Sequence, residues 1–347
     1  MWRVKRIVNF PPSELFTGSF TEDGLTLLGL HAADGGRLIL GPKRNWIGCL
    51  PPGKPELSWS VGPRTKSSAP EHISADLDNP SWIEDYGNGS YLITDAGHNR
   101  ICVFEPFRRR VSTFIDLRPY GLKSPANCIM DSRGYLWIND PSVAMLWVFS
   151  SSGELIRALG GANRAGGPRI EEGAPPGDSR PAVSKRSLED MDLGEVYDIR
   201  RGNDGLIYIL EGSRYRLRVV DFQRSTVSVV AGCGARGFSG DGGDPRAATF
   251  GGSPSRRLDG PWAFCLGDDN AIYIADTWNR AVRMIDPERK RIATIAGGRM
   301  SPANTRNDPA DTDPLGLTLP SICWLDWGDG MLFIADRTGV LAVLAPA

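Results

Sequence analysis

Two carboxylates near the middle of the chain, Glu195 and Asp198, are the leading candidates for acid–base chemistry. They lie three residues apart in the segment DLGEVYDIRR, where an apolar strand-like run begins. A carboxylate at the edge of a cavity can act as the general base of a hydrolytic or lyase-type reaction. Tyr197, between them, adds an aromatic ring and a hydroxyl group for substrate binding. We therefore predict that Glu195 and Asp198 are catalytic.

Polar and aromatic residues also begin the first strand of the other repeated units. The acidic residue that ends the second strand of each unit gives a common reference position for these first strands. This alignment places Asn79 and Trp82, Asn127, Trp262 and, in a divergent N-terminal segment, Glu14 at equivalent openings. In a closed fold built from such repeats, the first residues of the inner strands all lie at the same end of the central channel. We therefore expect Trp82, Trp262, Asn79 and Tyr197 to contact a substrate there.

An internal repeat reveals the elements that would position these residues. Four segments share an apolar run that ends on an acidic residue, a short polar turn and a second run rich in β-branched residues: residues 91–106, 135–150, 271–289 and 331–344. A fifth, at 206–224, ends its first run with Glu211. This pattern predicts β-hairpins. Repeats of short strands, spaced roughly 40 to 50 residues apart, predict an all-β fold, the β-propeller.

The repeats predict one domain, residues 1–347, with six four-stranded blades. Three blades begin with a proline, Pro80, Pro125 or Pro261, which a strand tolerates at its first position. The last unit has room for only three strands, and residues 3–10 alternate basic and apolar. An N-terminal strand is therefore predicted to close the last blade and to remove its open edge. The predicted blades are residues 14–61, 79–116, 124–161, 193–232, 260–298, and 320–347 together with 3–10.

Four connections between the predicted blades are unusually long, at residues 62–78, 161–192, 233–257 and 298–316. Loops of more than about 12 to 15 residues often cover functional sites. Each would join the fourth strand of one blade to the first strand of the next, on the face where the inner strands open. We therefore expect these loops to cover the mouth of the central channel. Such a mouth predicts a site for a small organic molecule.

The repeats resemble NHL repeats, most clearly in the segments DAGHNRICVF, DTWNRAVRMID and GFSGDGGDPRAATF. The resemblance extends from about residue 76 to residue 347 and implies a propeller of NHL blades. It says little about activity, because NHL propellers include lyases, relatives of hydrolases, RNA-binding modules and scaffolds. A non-catalytic scaffold for a protein partner is therefore the alternative to a small-molecule site.

A second, weaker resemblance concerns the channel. Sugar-lactone lactonases and regucalcin-like proteins hold a divalent cation with Glu, Asn and Asp residues from three blades. Glu14, Asn127 and Asp198 occupy similar blades here, and their hard oxygen atoms would suit Ca²⁺, Mg²⁺ or Mn²⁺. The match has two departures, since Ala126 separates Asn127 from its proline and the fourth blade has no proline. The alternative is that these polar residues face channel water without a metal.

Charge and histidine count argue against several other classes. The 40 Lys and Arg residues nearly balance the 41 Asp and Glu residues, so the chain has no general attraction for phosphate backbones and RNA binding is the less favoured hypothesis. The three histidines lie at unrelated positions and predict no zinc site, which argues against the zinc-dependent amidating lyases that share this propeller. The sequence also has no nucleophile elbow and no phosphate-binding loop.

The expected location is the cytoplasm. The N-terminal residues MWRVKRIVNFPP have basic residues but no apolar stretch after them, so we predict neither a signal peptide nor a membrane anchor. The six cysteines form no CxxC pair, and four of them lie inside apolar runs, where a free thiol acts as a small hydrophobic group. Reduced cysteines are typical of cytoplasmic proteins.

Overall fold

The computed structural model describes residues 2–9, 26–31, 37–41, 45–50, 59–63, 71–160, 186–188, 191–252, 259–298, 313–319, 321–336 and 340–346. These residues form strands joined by turns and short 3-10 helices. The strands are β1 (Trp2–Asn9), β2 (Thr26–His31), β3 (Arg37–Gly41), β4 (Trp46–Leu50), β5 (Trp59–Gly62), β6 (Glu71–Ser74), β7 (Pro80–Gly87), β8 (Ser90–Asp95), β9 (Arg100–Glu105), β10 (Arg110–Asp116), β11 (Cys128–Met130), β12 (Leu136–Asp140), β13 (Met145–Phe149), β14 (Leu155–Gly160), β15 (Arg186–Ser187), β16 (Val196–Arg201), β17 (Ile207–Glu211), β18 (Arg216–Asp221), β19 (Thr226–Ala231), β20 (Ala263–Leu266), β21 (Ile272–Asp276), β22 (Ala281–Asp286), β23 (Arg291–Gly297), β24 (Ile322–Gly328), β25 (Met331–Asp336) and β26 (Val340–Pro346).

Within the described residues the strands form six sheets, which are the blades of a β-propeller. Blade 1 contains β2 to β6, blade 2 contains β7 to β10 and blade 3 contains β11 to β14. Blade 4 contains β15 to β19, blade 5 contains β20 to β23 and blade 6 contains β24 to β26 with β1. The first strands of the blades, β2, β7, β11, β16, β20 and β24, contact one another in that order, and β24 contacts β2 again. These six inner strands therefore close a ring around a central channel.

The N-terminal strand closes the last blade, as the sequence predicted. Strand β1 pairs antiparallel with β26, with Trp2 opposite Pro346 and Asn9 opposite Val340. The ends of the chain are thus joined through backbone hydrogen bonds within one sheet. This closure removes the open edge that a three-stranded last blade would present.

The repeated acidic residues at the ends of the second strands stabilise the fold. Asp95, Asp140, Glu211 and Asp276 are fully buried at the ends of the second strands. Their carboxylates accept hydrogen bonds from backbone N–H groups of the segment before the same blade's inner strand, as Asp140 does from Lys123 (2.6 Å) and Ser124 (2.8 Å). Asp95, Glu211 and Asp276 likewise accept from Asp78, Gly194 and Gly251. Each acid thereby ties the hairpin turn to the chain that enters its own blade.

Part of each long connection lies against an outer strand of a blade. That these connections cover the mouth of the channel stays a prediction, because most of the second and fourth lie outside the described residues. Strand β6 pairs in parallel with β5, and β15 pairs with β19, so blades 1 and 4 have five strands instead of the predicted four. In the third connection, the Gly242 N–H donates to the Ile292 carbonyl on β23 at 2.7 Å. In the fourth, the turn Pro314–Gly316 contacts β23 and β1. An outermost strand has unpaired backbone groups, and these connections supply partners for them.

The Gly-rich stretch of the third connection is held against blade 5 by one buried arginine. The Arg283 side chain, on β22, is 1% exposed and donates to the Asp241 carboxylate and the Ser239 carbonyl, at 2.7 and 3.0 Å. Its guanidinium also lies 4.9 Å from the ring centroid of Phe238. This stretch therefore has a structural role.

Some predictions fall outside the described residues. Glu14 and residue 320 lie there, as do most of the second and fourth long connections. The first strand described in blade 1 begins at Thr26. The blade limits given above therefore stay predictions. Among the described residues, no helix is long and apolar enough to cross a membrane.

Candidate functional site

A cavity of about 250 Å³ lies in the central channel. Five of the six inner strands, β7, β11, β16, β20 and β24, contribute side chains to it. The lining residues are Trp82, Glu84, Ile129, Arg200, Arg201, Cys265, Leu266, Trp324, Asp326 and Trp327. Ligand sites commonly occupy concave regions of this kind, with a few polar groups among apolar ones.

Strand register sorts most of the channel residues into two layers. In four blades, one residue of the inner strand pairs with the residue just before the acid that ends the second strand. These four residues, which we call the indole layer, are Trp82, Asp198, Ala263 and Trp324. Two residues further along the inner strands lie Glu84, Ile129, Arg200, Cys265 and Asp326, which we call the charged layer. Residues two apart on a strand point to the same side. The cavity therefore runs from the indole layer towards the carboxyl ends of the inner strands.

The Arg200 side chain crosses the channel and stacks on both tryptophans of the indole layer. Its guanidinium carbon lies 4.5 Å from the ring centroid of Trp82 and 4.5 Å from that of Trp324. The two rings contact each other at 5.2 Å between centroids. A guanidinium over an indole face gains about 1 kcal/mol or more when it is shielded from water. Arg200 and the two indoles thus form the floor of the cavity.

The Asp198 carboxylate binds the Arg200 guanidinium and orients it. The Asp198 carboxylate, 3% exposed, accepts hydrogen bonds from Arg200 Nε (3.2 Å), the Phe264 N–H (3.1 Å) and Asn127 Nδ2 (3.2 Å). Burial raises the pKa of Asp198, while Arg200 and the Phe264 N–H oppose that rise. These three donors come from blades 3, 4 and 5. Asp198 therefore fixes the direction of the Arg200 side chain across the channel.

The predicted cation ligands meet only in part. Asn127 and Asp198 are in contact, but the Asn127 amide donates its N–H to the carboxylate, and Arg200 supplies the positive charge beside it. A divalent cation at this position would lie next to a guanidinium and would have to displace these donors. The described part of the predicted ligand set therefore does not fit a divalent cation. The third predicted ligand, Glu14, lies outside the described residues, among which no group of three or more acidic, histidine or cysteine side chains could hold a metal ion.

Glu84 is the titratable group of the cavity whose pKa lies near neutrality. Burial raises the pKa of Glu84 from 4.5 to about 7, although Arg201 and Arg200 act to lower it. The carboxyl group is surrounded by the channel wall and still borders the cavity. Burial also raises the pKa of the Cys265 thiol well above its usual value, so this thiol stays protonated and is a poor nucleophile. Glu84 is therefore a group bordering this cavity that can exchange a proton near neutral pH.

Several predicted catalytic and substrate-binding residues lie at the other end of the inner strands. Asn79, Glu195 and Trp262 immediately precede β7, β16 and β20, and none of them lines the cavity. The Asn79 N–H donates to Asn45 Oδ1 at 2.7 Å, and the Trp262 indole contacts Trp278 edge-on.

Tyr197 and Glu195 form a local pair. The Tyr197 hydroxyl donates to Glu195 Oε2 at 3.1 Å, and the Glu195 N–H donates to Ser213 Oγ at 2.8 Å. Burial, followed by the charge of Glu195, raises the Tyr197 pKa, so the phenol stays protonated. Of the predicted substrate contacts, Trp82 alone lines the cavity. Catalysis by Glu195 and substrate binding by Tyr197, Asn79 and Trp262 stay predictions.

Sequence reasoning missed Arg200, Glu84, Asp326 and Trp324. A signal was present, because charged residues occur within three inner strands next to indole and aliphatic residues, in WIED, YDIRR and WLDW. A charge inside a buried strand requires a partner or a cavity. Glu84, Arg200 and Asp326 lie two residues beyond the strand-opening positions at which the repeat predicts the site.

One other pair of catalytic residue types lies away from the channel. Ser60 Oγ and His72 Nδ1 are 3.0 Å apart, on β5 and β6 at the outer edge of blade 1. Ser60 is 2% exposed and lies in the sheet, where no substrate could reach its hydroxyl. This pair joins the fifth strand to the blade.

Comparisons with known proteins support the fold. No family model matches this chain, and no curated protein sequence matches it. An auxiliary nutrient binding protein from Bacteroides thetaiotaomicron is similar in structure, with a TM-score of 0.60 over 93% of this chain and 68% of that chain, at 13% identity. Virginiamycin B lyase from Staphylococcus aureus has a TM-score of 0.55, with 100% of both chains covered at 11% identity.

A catalytically inactive variant of the same lyase, determined with quinupristin, has a TM-score of 0.54 over 92% of this chain and 80% of that chain, at 13% identity. At these identities the likeness shows the fold alone. The comparisons thus agree that this chain is a β-propeller.

Proposed function

We propose that this propeller binds a small organic molecule in its central channel, on the floor formed by Arg200, Trp82 and Trp324. The observation that carries the proposal is that two hydrogen-bond donors of this floor lack an acceptor within the described part of the chain. Arg200 Nη2 and Trp324 Nε1 are buried, and neither has a hydrogen-bond acceptor among the described residues. A buried donor without an acceptor costs about 1 to 3 kcal/mol. A ligand with acceptor atoms, entering the adjoining cavity, would recover that free energy.

The cavity favours a small-molecule site over the scaffold alternative. A scaffold would present a wide and shallow apolar face, whereas here charged groups and indoles converge on a concave space. A volume of about 250 Å³ limits the ligand to a small metabolite or to one end of a larger molecule. The similar structures include a nutrient binding protein and a lyase determined with quinupristin, and both named roles involve small molecules.

Hydrolase or lyase activity is the second candidate function, and Glu84 favours it. A carboxyl group with a pKa of about 7 is present in both protonation states at neutral pH, which suits a general acid or base. Glu84 borders the cavity, whereas Asp198 already accepts hydrogen bonds from three donors. We therefore assign proton transfer to Glu84 and the orientation of Arg200 to Asp198.

A ligand screen on two matched variants tests the site. Leu266 is half-buried at the rim of the cavity, and Leu155 is 41% exposed on the outer strand β14. Leu266→Trp would narrow the cavity, and Leu155→Trp makes the same change far from it. Wild type and both variants are screened against a metabolite library by thermal shift and ligand-observed NMR. We expect compounds that bind wild type and Leu155→Trp but not Leu266→Trp. Equal binding to all three proteins, or no binding at millimolar concentration, would refute the channel site.

A further inference from the structure

The exposure of the lining residues shows at which end the cavity opens. The indole layer is almost fully buried, since Trp82 and Trp324 are 3% and 5% exposed. The last lining residues on β16, β20 and β24, which we call the rim, are Arg201, Leu266 and Trp327. Leu266 and Trp327 are half-buried, and Arg201 is exposed. The cavity therefore opens at the rim, on the face formed by the turns between the first and second strands.

Trp327 is held in one orientation by the neighbouring blade. Its ring stacks on the Tyr273 ring, with 5.2 Å between the centroids and an angle of 5° between the planes. Trp327 Nε1 also donates to Asp268 Oδ2 at 2.9 Å, in the turn between β20 and β21. Tyr273 is 2% exposed, so close packing fixes the ring on which Trp327 rests. Trp327, on blade 6, is thus fixed through two contacts with blade 5.

The second face of the Trp327 ring is turned away from these contacts. Trp2 lies edge-on to both rings, with its centroid 5.6 Å from that of Tyr273 and 6.3 Å from that of Trp327. A ring over the second face of Trp327 would lie roughly 10 Å from Tyr273, because each ring contact spans about 4.5 to 7 Å. Trp2 therefore lies beside the stack. Since Trp327 is half-buried and lines the cavity, its second face borders the entrance.

The other two indoles of the cavity are less accessible to a ligand ring. The Arg200 guanidinium stacks on Trp82 and on Trp324, and these two rings contact each other at 5.2 Å between centroids. A ligand ring could take the place of Arg200 only by displacing a charge that Asp198 holds. Among the described residues that line the cavity, Trp327 is the indole whose second face neither a guanidinium nor another ring covers.

We propose that Trp327 is a stacking platform at the entrance of the channel site, and that the ligand carries an aromatic ring that lies on Trp327 while its polar end reaches into the cavity. This inference rests on the proposed function and specifies one end of its ligand. The cavity of about 250 Å³ accommodates a small polar group, with the ring at the rim. Stacked aromatic rings attract each other beyond the burial of their surfaces. A platform that is fixed before binding loses little conformational freedom when the ligand arrives.

The test uses six small probes, each with one ring and one polar group. Three contain a phenyl ring, namely phenylacetamide, phenylacetate and 2-phenylethylamine. Their three counterparts contain a cyclohexyl ring, which is of similar size and apolar but has no π system. Ligand-observed NMR and calorimetry give each Kd, and loss of binding in Leu266→Trp identifies the probes that bind in the channel. We expect at least one phenyl probe to bind there at least about fivefold more tightly than its cyclohexyl counterpart.

Variants at Trp327 test the platform itself. Trp327→Leu should remove the preference for the phenyl ring, whereas Trp327→Phe, which keeps a ring, should retain it. Trp59→Leu is the matched control, because the Trp59 indole on β5 contacts Tyr91 and Phe104 away from the cavity, and it should leave the preference unchanged. In the wild-type protein, nuclear Overhauser contacts should join the phenyl protons of the probe to the Trp327 indole.

The outcomes separate this inference from the proposed function. A phenyl probe that binds in the channel no more tightly than its counterpart would overturn the inference and leave the channel site standing. A preference that persists in Trp327→Leu, or Overhauser contacts that do not include Trp327, would have the same meaning. If none of the six probes binds at 10 mM, the inference fails as well, and the metabolite screen decides the proposed function independently.

Discussion

At the scale of single residues, the Arg200 side chain in the channel makes both aromatic stacking contacts and an ion pair. Arg200 is held from behind by Asp198 and from the sides by two indoles, at 4.5 Å from each centroid. A guanidinium is planar, so it can stack on aromatic rings while its edge donates hydrogen bonds. The position of the Arg200 side chain is therefore set by these surrounding contacts. The nearby Glu84 carboxyl group is the pH-dependent member of the same cavity.

Asp198→Ala should lower the free energy of unfolding by about 3 kcal/mol. The substitution leaves the Arg200 charge, the Phe264 N–H and the Asn127 amide without their common acceptor in a buried place. Urea unfolding followed by circular dichroism measures the loss. Arg289→Ala, at an exposed turn, is the control and should change stability by less than about 0.5 kcal/mol. A stable Asp198→Ala protein would show that this network does not hold the channel together.

Glu84→Gln should change how stability depends on pH. The folded-state pKa of Glu84 is raised to about 7 from an ordinary 4.5, so the folded protein binds more protons than the unfolded chain between these values. Wild-type stability therefore decreases as the pH rises through this window, and the loss is complete above pH 7. Relative to wild type, Glu84→Gln should gain about 2 kcal/mol between pH 5 and pH 8. Thermal unfolding at both pH values measures this difference, and parallel pH profiles would contradict the raised pKa.

At the scale of secondary-structure elements, blades 2 to 5 each have one buried acid at the hairpin. After the acid the chain makes a turn that ends with a residue in the left-handed region, namely Asn99, Ala144, Tyr215 or Arg280, with φ of 54°, 53°, 50° and 54°. The acid then accepts the backbone N–H groups of the segment that leads into its own blade. The same contact, repeated around the ring, explains why the acid recurs in the sequence.

Asp140→Ala should destabilise the protein by about 2 to 3 kcal/mol without changing ligand binding. Its carboxylate accepts from the Lys123, Ser124 and Ser142 N–H groups and from Ser142 Oγ, and the side chain is fully buried. Removing it leaves several buried donors unsatisfied. Denaturant unfolding gives the cost, and the library screen gives the binding profile. Asp116→Ala, at an exposed pair with Arg118, is the matched control and should be nearly neutral.

At the scale of the whole molecule, the ring is closed by the first strand of the chain. Strand β1 supplies the outer strand of a blade whose other three strands are the last of the chain. Two further blades gain a fifth strand from the connections that follow or precede them. Exposed strand edges tend to pair with other chains, so these additions also protect the propeller from aggregation.

Deleting residues 1–9 should open the ring. The truncation exposes the edge of β26 and removes the buried Val4, so we expect aggregation or a clear loss of cooperative unfolding. Size-exclusion chromatography and differential scanning calorimetry report the two outcomes. Adding a peptide of residues 1–10 should restore part of the stability, because the strand can pair from outside. A truncated protein that is monomeric and as stable as wild type would contradict the closure.

The propeller could be predicted from the sequence because its determinants are local and repeated. The hairpins, the acids at their ends and the N-terminal strand all follow from patterns of a few residues, and the structure confirms them. The site could be predicted only in part. The positions at the start of the inner strands predicted Trp82, which lines the cavity, and Asp198 and Asn127, which contact each other behind it.

The meeting of Arg200, Glu84, Trp324 and Asp326 was decided by the tertiary structure alone. These residues are separated by up to 242 positions (326 − 84) and come from blades 2, 4 and 6. The local pattern marks charged positions within the inner strands, but it does not say which of them come into contact. The closed ring brings them to similar depths in one channel. The pairing of β6 and β15 with the outer strands of blades 1 and 4 was likewise beyond sequence reasoning, because it depends on which strand edges remain unpaired after the blades have formed.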